Sequence, residues 1–164
     1  CRRNVDLTYI VMDNRVYGMT KGQPSPTTEP DWDSALSPGG AGLRSFHPLV
    51  IALASGANFV ARGFSGDPNG TARLIAEAIH TPGFSFVEIL SPCVTFRPDQ
   101  REWRKMVHPA PVEPTDDPSR AARRIMTDDG FNIGILYRGN RKPYRPGIGG
   151  KAAEAAGLEK EFEL

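Results

Sequence analysis

Residues 10–23 read I-V-M-D-N-R-V-Y-G-M-T-K-G-Q. An apolar run gives way at Asp13-Asn14 to amide, hydroxyl and cationic groups, with two glycines among them. Such groups suit an anionic ligand and its metal. Asn14 offers a side-chain amide oxygen, and the backbone offers a carbonyl two positions later, at Val16. Hard oxygen donors of this kind are what Mg2+ takes in octahedral geometry when it also holds phosphates. Gly18 and Gly22 let the backbone come close to a ligand. Thr20 can donate a hydroxyl hydrogen bond to phosphate, and Lys21 can neutralise an anion. A plain polar loop after a strand accounts for the same residues about equally well, because the stretch fits none of the generic phosphate-loop patterns.

The surrounding elements decide where this stretch sits. Residues 7–12 are a short apolar, β-branched run, suited to a central strand of a parallel sheet. Residues 23–42 are rich in Pro, Ser, Thr and Gly, and the prolines forbid a long helix, so an extended surface loop is expected. Residues 47–55 read as a helix with Pro48 early and Gly56 just past its end. Residues 58–63 read as a strand. Residues 67–80 read as a helix with Thr71, Leu74, Ile75, Ala78 and Ile79 on one apolar face. Residues 84–90 read as a third strand, running into Ser91-Pro92-Cys93. The order predicts an α/β fold on a parallel sheet. Ligands in such sheets sit beyond the carboxyl ends of the strands. D-N-R-V-Y-G-M-T-K-G-Q and S-P-C-V-T-F both start at such ends, so they should approach one edge of the fold.

The chain has 164 residues and a formal net charge of +1, which gives no electrostatic footprint for nucleic acid. No stretch is long and apolar enough to cross a membrane, and no signal segment opens the chain. Two cysteines, Cys1 and Cys93, are too few for a disulfide scaffold and fit a reducing cytoplasm. The chain opens C-R-R-N-V-D-L-T-Y-I, without an initiator Met, and enters a strand within a few residues. That reads as the C-terminal piece of a larger domain. Residues 97–164 form a charged, Pro-rich extension, with a short helix expected over 118–127 and a strand or turn over 131–137. A peripheral helix or a subunit-contacting arm is expected over 152–164.

D-N-R-V-Y-G-M-T-K-G-Q-P-S-P-T resembles the thiamine-diphosphate segment of 2-oxoacid:ferredoxin oxidoreductase β subunits, whose usual form is D-N-x-x-Y-G-x-T-K-G-Q-x-S-P-T. G-A-N-F-V-A-R-G-F and H-T-P-G-F-S-F-V-E-I-L-S-P-C-V-T-F resemble the family's following strands. The resemblance implies a three-layer thiamine-diphosphate-binding fold, with residues 1–96 as the C-terminal part of that domain. It implies that Asn14 and the Val16 carbonyl hold Mg2+, that Tyr17, Gly18 and Thr20 line the cofactor, and that Met19 and Lys21 face the substrate. The family's upstream Gly-Asp-Gly segment, which supplies a further metal ligand, is absent from this sequence. Cys93 matches the last of four thiolates on a 4Fe–4S cluster, the others lying upstream; without the family, Cys93 reads as a small buried apolar residue. The implied reaction is oxidative decarboxylation of a 2-oxoacid, with the acyl group passing to coenzyme A and electrons to ferredoxin, in a complex with an α subunit. Met19 and Lys21 resemble the 2-oxoglutarate and broad-range members and differ from the pyruvate-specific ones, which makes 2-oxoglutarate the expected substrate. A thiamine-diphosphate decarboxylase or synthase without redox function, and a non-catalytic remnant dependent on a partner, are the alternatives.

Other residues have plainer readings. His47, His80 and His108 show no metal spacing and suit caps or the surface. Glu88, inside an apolar strand, suits a strand-edge or interface salt bridge. Ser65–Gly70 suits a turn with a helix cap. R-E-W-R-K (residues 101–105) suits a charged surface, with Trp103 offering a subunit contact.

Overall fold

The computed structural model describes residues 1–145. Five strands, β1 (Leu7–Asp13), β2 (Phe59–Phe64), β3 (Phe84–Leu90), β4 (His108–Pro109) and β5 (Asn132–Arg138), form one sheet in the order β1-β3-β2-β5-β4. Four helices, α1 (Pro48–Ala54), α2 (Pro68–His80), α3 (Trp103–Met106) and α4 (Pro118–Thr127), complete the α/β fold.

The central strands are buried on both faces, as near-continuous apolar runs should be. Alternation along β3 sends Phe84 and Phe86 to one side, where they pack with Leu49, Ala52 and Leu53 of α1 and Ala121 and Ile125 of α4. It sends Val87 and Ile89 to the other side, with Ala78 of α2. Positions 49, 52 and 53 put one face of α1 on the sheet, and full burial of each leucine stabilises by about 1.5–3 kcal/mol. A third cluster of Phe64, Leu90, Trp103 and Phe131 closes the end where β2 and β3 finish. Helix α2 starts as the sequence predicts: the Asp67 carboxylate accepts the Gly70 N–H at 3.0 Å, with Pro68 at the first helical position.

Three expectations are corrected. Strand β1 is not central among the described residues; it pairs with β3 alone and leaves Leu7, Tyr9, Ile10 and Met12 exposed. An apolar run reports its own side chains and not what covers them. The sheet is not purely parallel, because β5 runs antiparallel to β2, with a bulge between Val60 and Ala61. The segment after residue 97 is not irregular throughout: the helix expected over 118–127 forms as α4 and packs on α1, and the strand or turn expected over 131–137 forms as β5 and pairs with β2. The helix or arm expected over 152–164 lies outside the described residues.

Candidate functional site

Strands β1 and β3 end level with one another, Asp13 opposite Leu90. The ladder continues for one more bond, from the Ser91 N–H to the Asp13 carbonyl at 2.8 Å. The chain then turns by two successive side-chain-to-backbone contacts. The Asp13 carboxylate accepts the Arg15 N–H at 2.9 Å and the Thr27 hydroxyl at 2.6 Å, and the Asn14 amide oxygen accepts the Val16 N–H at 3.1 Å. Asp and Asn favour such turns because their short side chains reach the backbone two residues on. Arg15 sits in the left-handed region, at φ 51°.

The Arg15 side chain is the anchor of this turn. Its guanidinium carbon lies 5.0 Å from the ring centres of both Trp103 and Phe131, and it donates to Glu29 at 2.8 Å and to the Gly130 carbonyl at 3.1 Å. Arg97 stacks on Trp32 and donates to the other Glu29 oxygen at 2.8 Å. Burial alone would push the Glu29 carboxyl up, but Arg97 and Arg15 hold it below the usual range.

The second half of the motif is a tight exposed loop. Tyr17 N–H donates to the Gln23 carbonyl at 2.9 Å, and Gly22 N–H returns to the Tyr17 carbonyl at 3.0 Å. Thr20 donates its hydroxyl to the same Tyr17 carbonyl at 3.3 Å. The Met19 side chain is wholly exposed, and Lys21 is exposed at φ 75°. Gly22 is needed at φ 97°, where a Cβ would stand 3.0 Å from the Phe96 ring. Gly22→Ala is therefore expected to cost about 1–3 kcal/mol of stability, read by denaturant unfolding. Gly18→Ala, with ordinary contact distances and no positive φ, is the control and should cost less.

The two strand-end motifs meet as their placement predicts. A Cβ built on Gly18 would stand 3.4 Å from the Cys93 sulfur. Asn14, Val16, Tyr17, Gly18, Met19, Thr20 and Lys21 thus form one turn beside Cys93. Cys1 is elsewhere, packed against the α1 side of the sheet, and both cysteines are free thiols. An apolar groove of about 890 Å³ runs between β1 and α1 and opens on this turn, lined by Tyr9, Val11, Tyr17, Phe46, Ile51 and Phe86. Among the described residues, no group of three or more His, Cys, Asp or Glu side chains is placed to hold a metal.

Glu88 and Trp103 depart from expectation. Glu88 is 3 % exposed on the central strand β3 and pairs within the chain, its carboxylate accepting from Arg62 Nε at 2.6 Å. Arg62, 6 % exposed on β2, also reaches Asp128 at 3.2 Å. Burial pushes the Glu88 carboxyl above its ordinary value, and Arg62 draws it part of the way back. This triad faces a cavity of about 180 Å³ that Asp13, Arg15 and Glu29 also line, behind the turn. Sequence reasoning missed Arg62 and Asp128; the available signal was a second charge, Arg62, inside an apolar strand. Trp103 is buried under Arg15 and not on an interface surface. Neighbouring Lys105 and Glu102 pair on the surface, where such pairs contribute little. The histidines lie outside the turn: His47 precedes α1, His80 ends α2, and exposed His108 titrates above its usual range through its bond to Asp129.

Residues 1–89 match the model of the thiamine pyrophosphate enzymes' C-terminal TPP binding domain. The chain belongs to that family. Within it, the chain is 37 % identical over 152 residues to the 2-oxoacid:ferredoxin oxidoreductase subunit beta of Saccharolobus solfataricus, a match covering 84 % of this chain and 50 % of that protein. It is 43 % identical over 95 residues to the 2-oxoglutarate synthase subunit KorB of Archaeoglobus fulgidus, covering 58 % of this chain and 36 % of that one. A solved 2-oxoglutarate:ferredoxin oxidoreductase from Magnetococcus marinus, with 2-oxoglutarate, coenzyme A and succinyl-CoA bound, superposes with a TM-score of 0.81 at 31 % identity, over 99 % of this chain and 60 % of that chain. The resemblance read from D-N-R-V-Y-G-M-T-K-G-Q to 2-oxoacid:ferredoxin oxidoreductase β subunits holds in these comparisons. The chain spans about half the length, or less, of these curated relatives.

Proposed function

We propose that this chain is the C-terminal part of the thiamine-diphosphate domain of a 2-oxoacid:ferredoxin oxidoreductase β subunit, acting on 2-oxoglutarate. The observation that carries the reading is the meeting of the Asn14 turn and Cys93 at one sheet edge, with Gly18 against the thiol. The names of the relatives support the choice of 2-oxoglutarate over pyruvate. Residues 1–96 carry the cofactor turn and Cys93. Residues 97–164 are the extension whose charged surface meets the α subunit. Ferredoxin is the electron acceptor, coenzyme A and the 2-oxoacid are the substrates, and the compartment is the reducing cytoplasm, with no nucleic-acid or membrane partner.

The residues of the turn fit Mg2+ and a diphosphate. The Asn14 oxygen accepts one hydrogen bond and keeps a second lone pair, and among the described residues no hydrogen bond engages the Val16 carbonyl. These are neutral hard oxygens, which suit a metal that draws its remaining ligands from phosphate. Thiamine diphosphate, when bound, supplies the nucleophilic carbon that makes decarboxylation possible. Asn14 and Val16 would hold its diphosphate through the metal. Tyr17 and Gly18 bring the backbone against it, and Thr20 braces the loop. Met19 presents an apolar side chain to the 2-oxoacid, and Lys21 neutralises a carboxylate or a coenzyme A phosphate. A 4Fe–4S cluster does not fit on the described residues alone, since Cys93 is one thiolate where four are needed. Cys93 is read as one ligand, completed by thiolates outside residues 1–145. A redox-free thiamine enzyme has no need of a thiol at that position.

The test uses the full-length protein, purified anaerobically with its partner subunit. Thiamine diphosphate binding that requires Mg2+, with brown absorbance that bleaches on adding 2-oxoglutarate and coenzyme A, is the expected result. A colourless protein that binds thiamine diphosphate would return the reading to a non-redox enzyme, and one that binds none would overturn it.

A further inference from the structure

One buried side chain joins the two motifs. Gln100, 1 % exposed, sits on a single 3-10 turn (Pro98–Glu102) just past Cys93. Its amide Nε2 donates to the Asn14 carbonyl at 2.7 Å, and its Oε1 accepts the Cys93 N–H at 2.7 Å. The strands' own ladder stops one step earlier, at the bond from Ser91 to Asp13. The Gln100 amide therefore acts as one further rung, with a side chain inserted where the diverging backbones can no longer reach each other. Both bonds are short, both engage the backbone, and the polar ends have no solvent to fall back on. Arg97, three residues earlier, adds a parallel tie: its N–H donates to the Cys93 carbonyl at 2.9 Å while its side chain holds Glu29, the partner of Arg15.

We infer that Gln100 is a positioning residue that locks the Cys93 turn to the Asn14 turn, so that the thiol and the cofactor-facing backbone move as one body. This rests on the cofactor reading above for its functional meaning, but the coupling itself is a property of the two turns. A purely structural glutamine would fill space and satisfy two groups. A positioning glutamine transmits a disturbance from one turn to the other.

Two variants of the full-length protein separate these roles. Gln100→Met keeps length and burial and removes both polar atoms. Gln100→Glu, measured with its carboxyl ionised, keeps the acceptor for Cys93 and replaces the donor to Asn14 with a charged oxygen that repels the Asn14 carbonyl. Titration calorimetry with thiamine diphosphate in Mg2+ should show both variants binding about tenfold more weakly, the size expected for one buried carbonyl left unsatisfied. Iodoacetamide should alkylate Cys93 several-fold faster in both variants when any cluster has been removed by chelation. The glutamate variant decides the matter, because its lost bond is on the Asn14 side while the alkylation readout is at Cys93. Unchanged Cys93 reactivity in Gln100→Glu overturns the inference, as does affinity within twofold of wild type in both variants beside a lowered Tm. If the wild-type protein binds no thiamine diphosphate, the cofactor reading falls, and the alkylation arm alone accepts or rejects the coupling.

Discussion

Arg62→Met is expected to destabilise the fold by about 3–5 kcal/mol at neutral pH, the usual size for a buried charge stripped of its partner. Arg62 is the only cation bonded to Glu88 among the described residues, and it also holds Asp128. Without it, two carboxylates remain in a space already shared with Asp13. The effect should depend on pH with a definite sign. Glu88 has a folded-state pKa raised above 4.5 by burial, so its stabilising contribution is complete below 4.5 and is lost as pH rises through the folded value. Removing Arg62 raises that folded value further, because the guanidinium no longer draws it back. The variant should therefore lose most at neutral and alkaline pH and least in acid, where Glu88 is protonated in both proteins. Denaturant unfolding at a series of pH values reads this directly. Adding Glu88→Leu to Arg62→Met should recover part of the loss, since an apolar replacement of a buried pair is often close to neutral. A loss below about 1 kcal/mol at every pH would show that water in the cavity solvates the carboxylates.

Asn14→Ala is expected to weaken Mg2+-dependent thiamine diphosphate binding by about a hundredfold or more. Loss of a partner that merely orients a metal ligand costs about 10–100-fold, and Asn14 is proposed as a ligand itself. The substitution also releases the Val16 N–H, which fixes the second proposed ligand. Asn14→Asp keeps an oxygen for both tasks and should retain affinity within several-fold. Calorimetric titration of the full-length protein with and without Mg2+ distinguishes the cases. Equal losses in the two variants would assign Asn14 to amide donation and not to oxygen ligation.

Most of the sheet was legible in the sequence because its strands are short apolar runs with sharp ends. Residues 84–90 and the Asp67-Pro68 helix start carry local chemistry that admits few other structures. The turn at Asp13-Asn14 was legible as a candidate site because polar groups follow an apolar strand abruptly. What escaped has a common physical cause: it depends on a partner distant in sequence. Nothing near Glu88 says that it meets Arg62 or Asp128, 26 and 40 residues away. Nothing near Trp103 says that a cation will lie on it. Gln100 is one polar residue in a charged, Pro-rich stretch, and its role appears only when β1 and β3 end side by side. The antiparallel entry of β5 escaped because alternation fixes the faces of a strand and not its direction.

The Arg15 anchor divides the motif into two mechanical halves. Residues 13–16 are pinned before any ligand arrives, through a guanidinium between two rings and two side-chain turns. Residues 17–21 close on themselves and on Gly22 and Gln23 through short bonds, with Met19 in open solvent. Preorganisation saves the ordering entropy that a floppy metal loop would forfeit on binding. The half that would grip a constant ligand, the metal diphosphate, is thus the stiff one. If Met19 meets the 2-oxoacid as proposed, substitution there should change substrate preference and leave the hydrogen bonds of residues 13–16 intact.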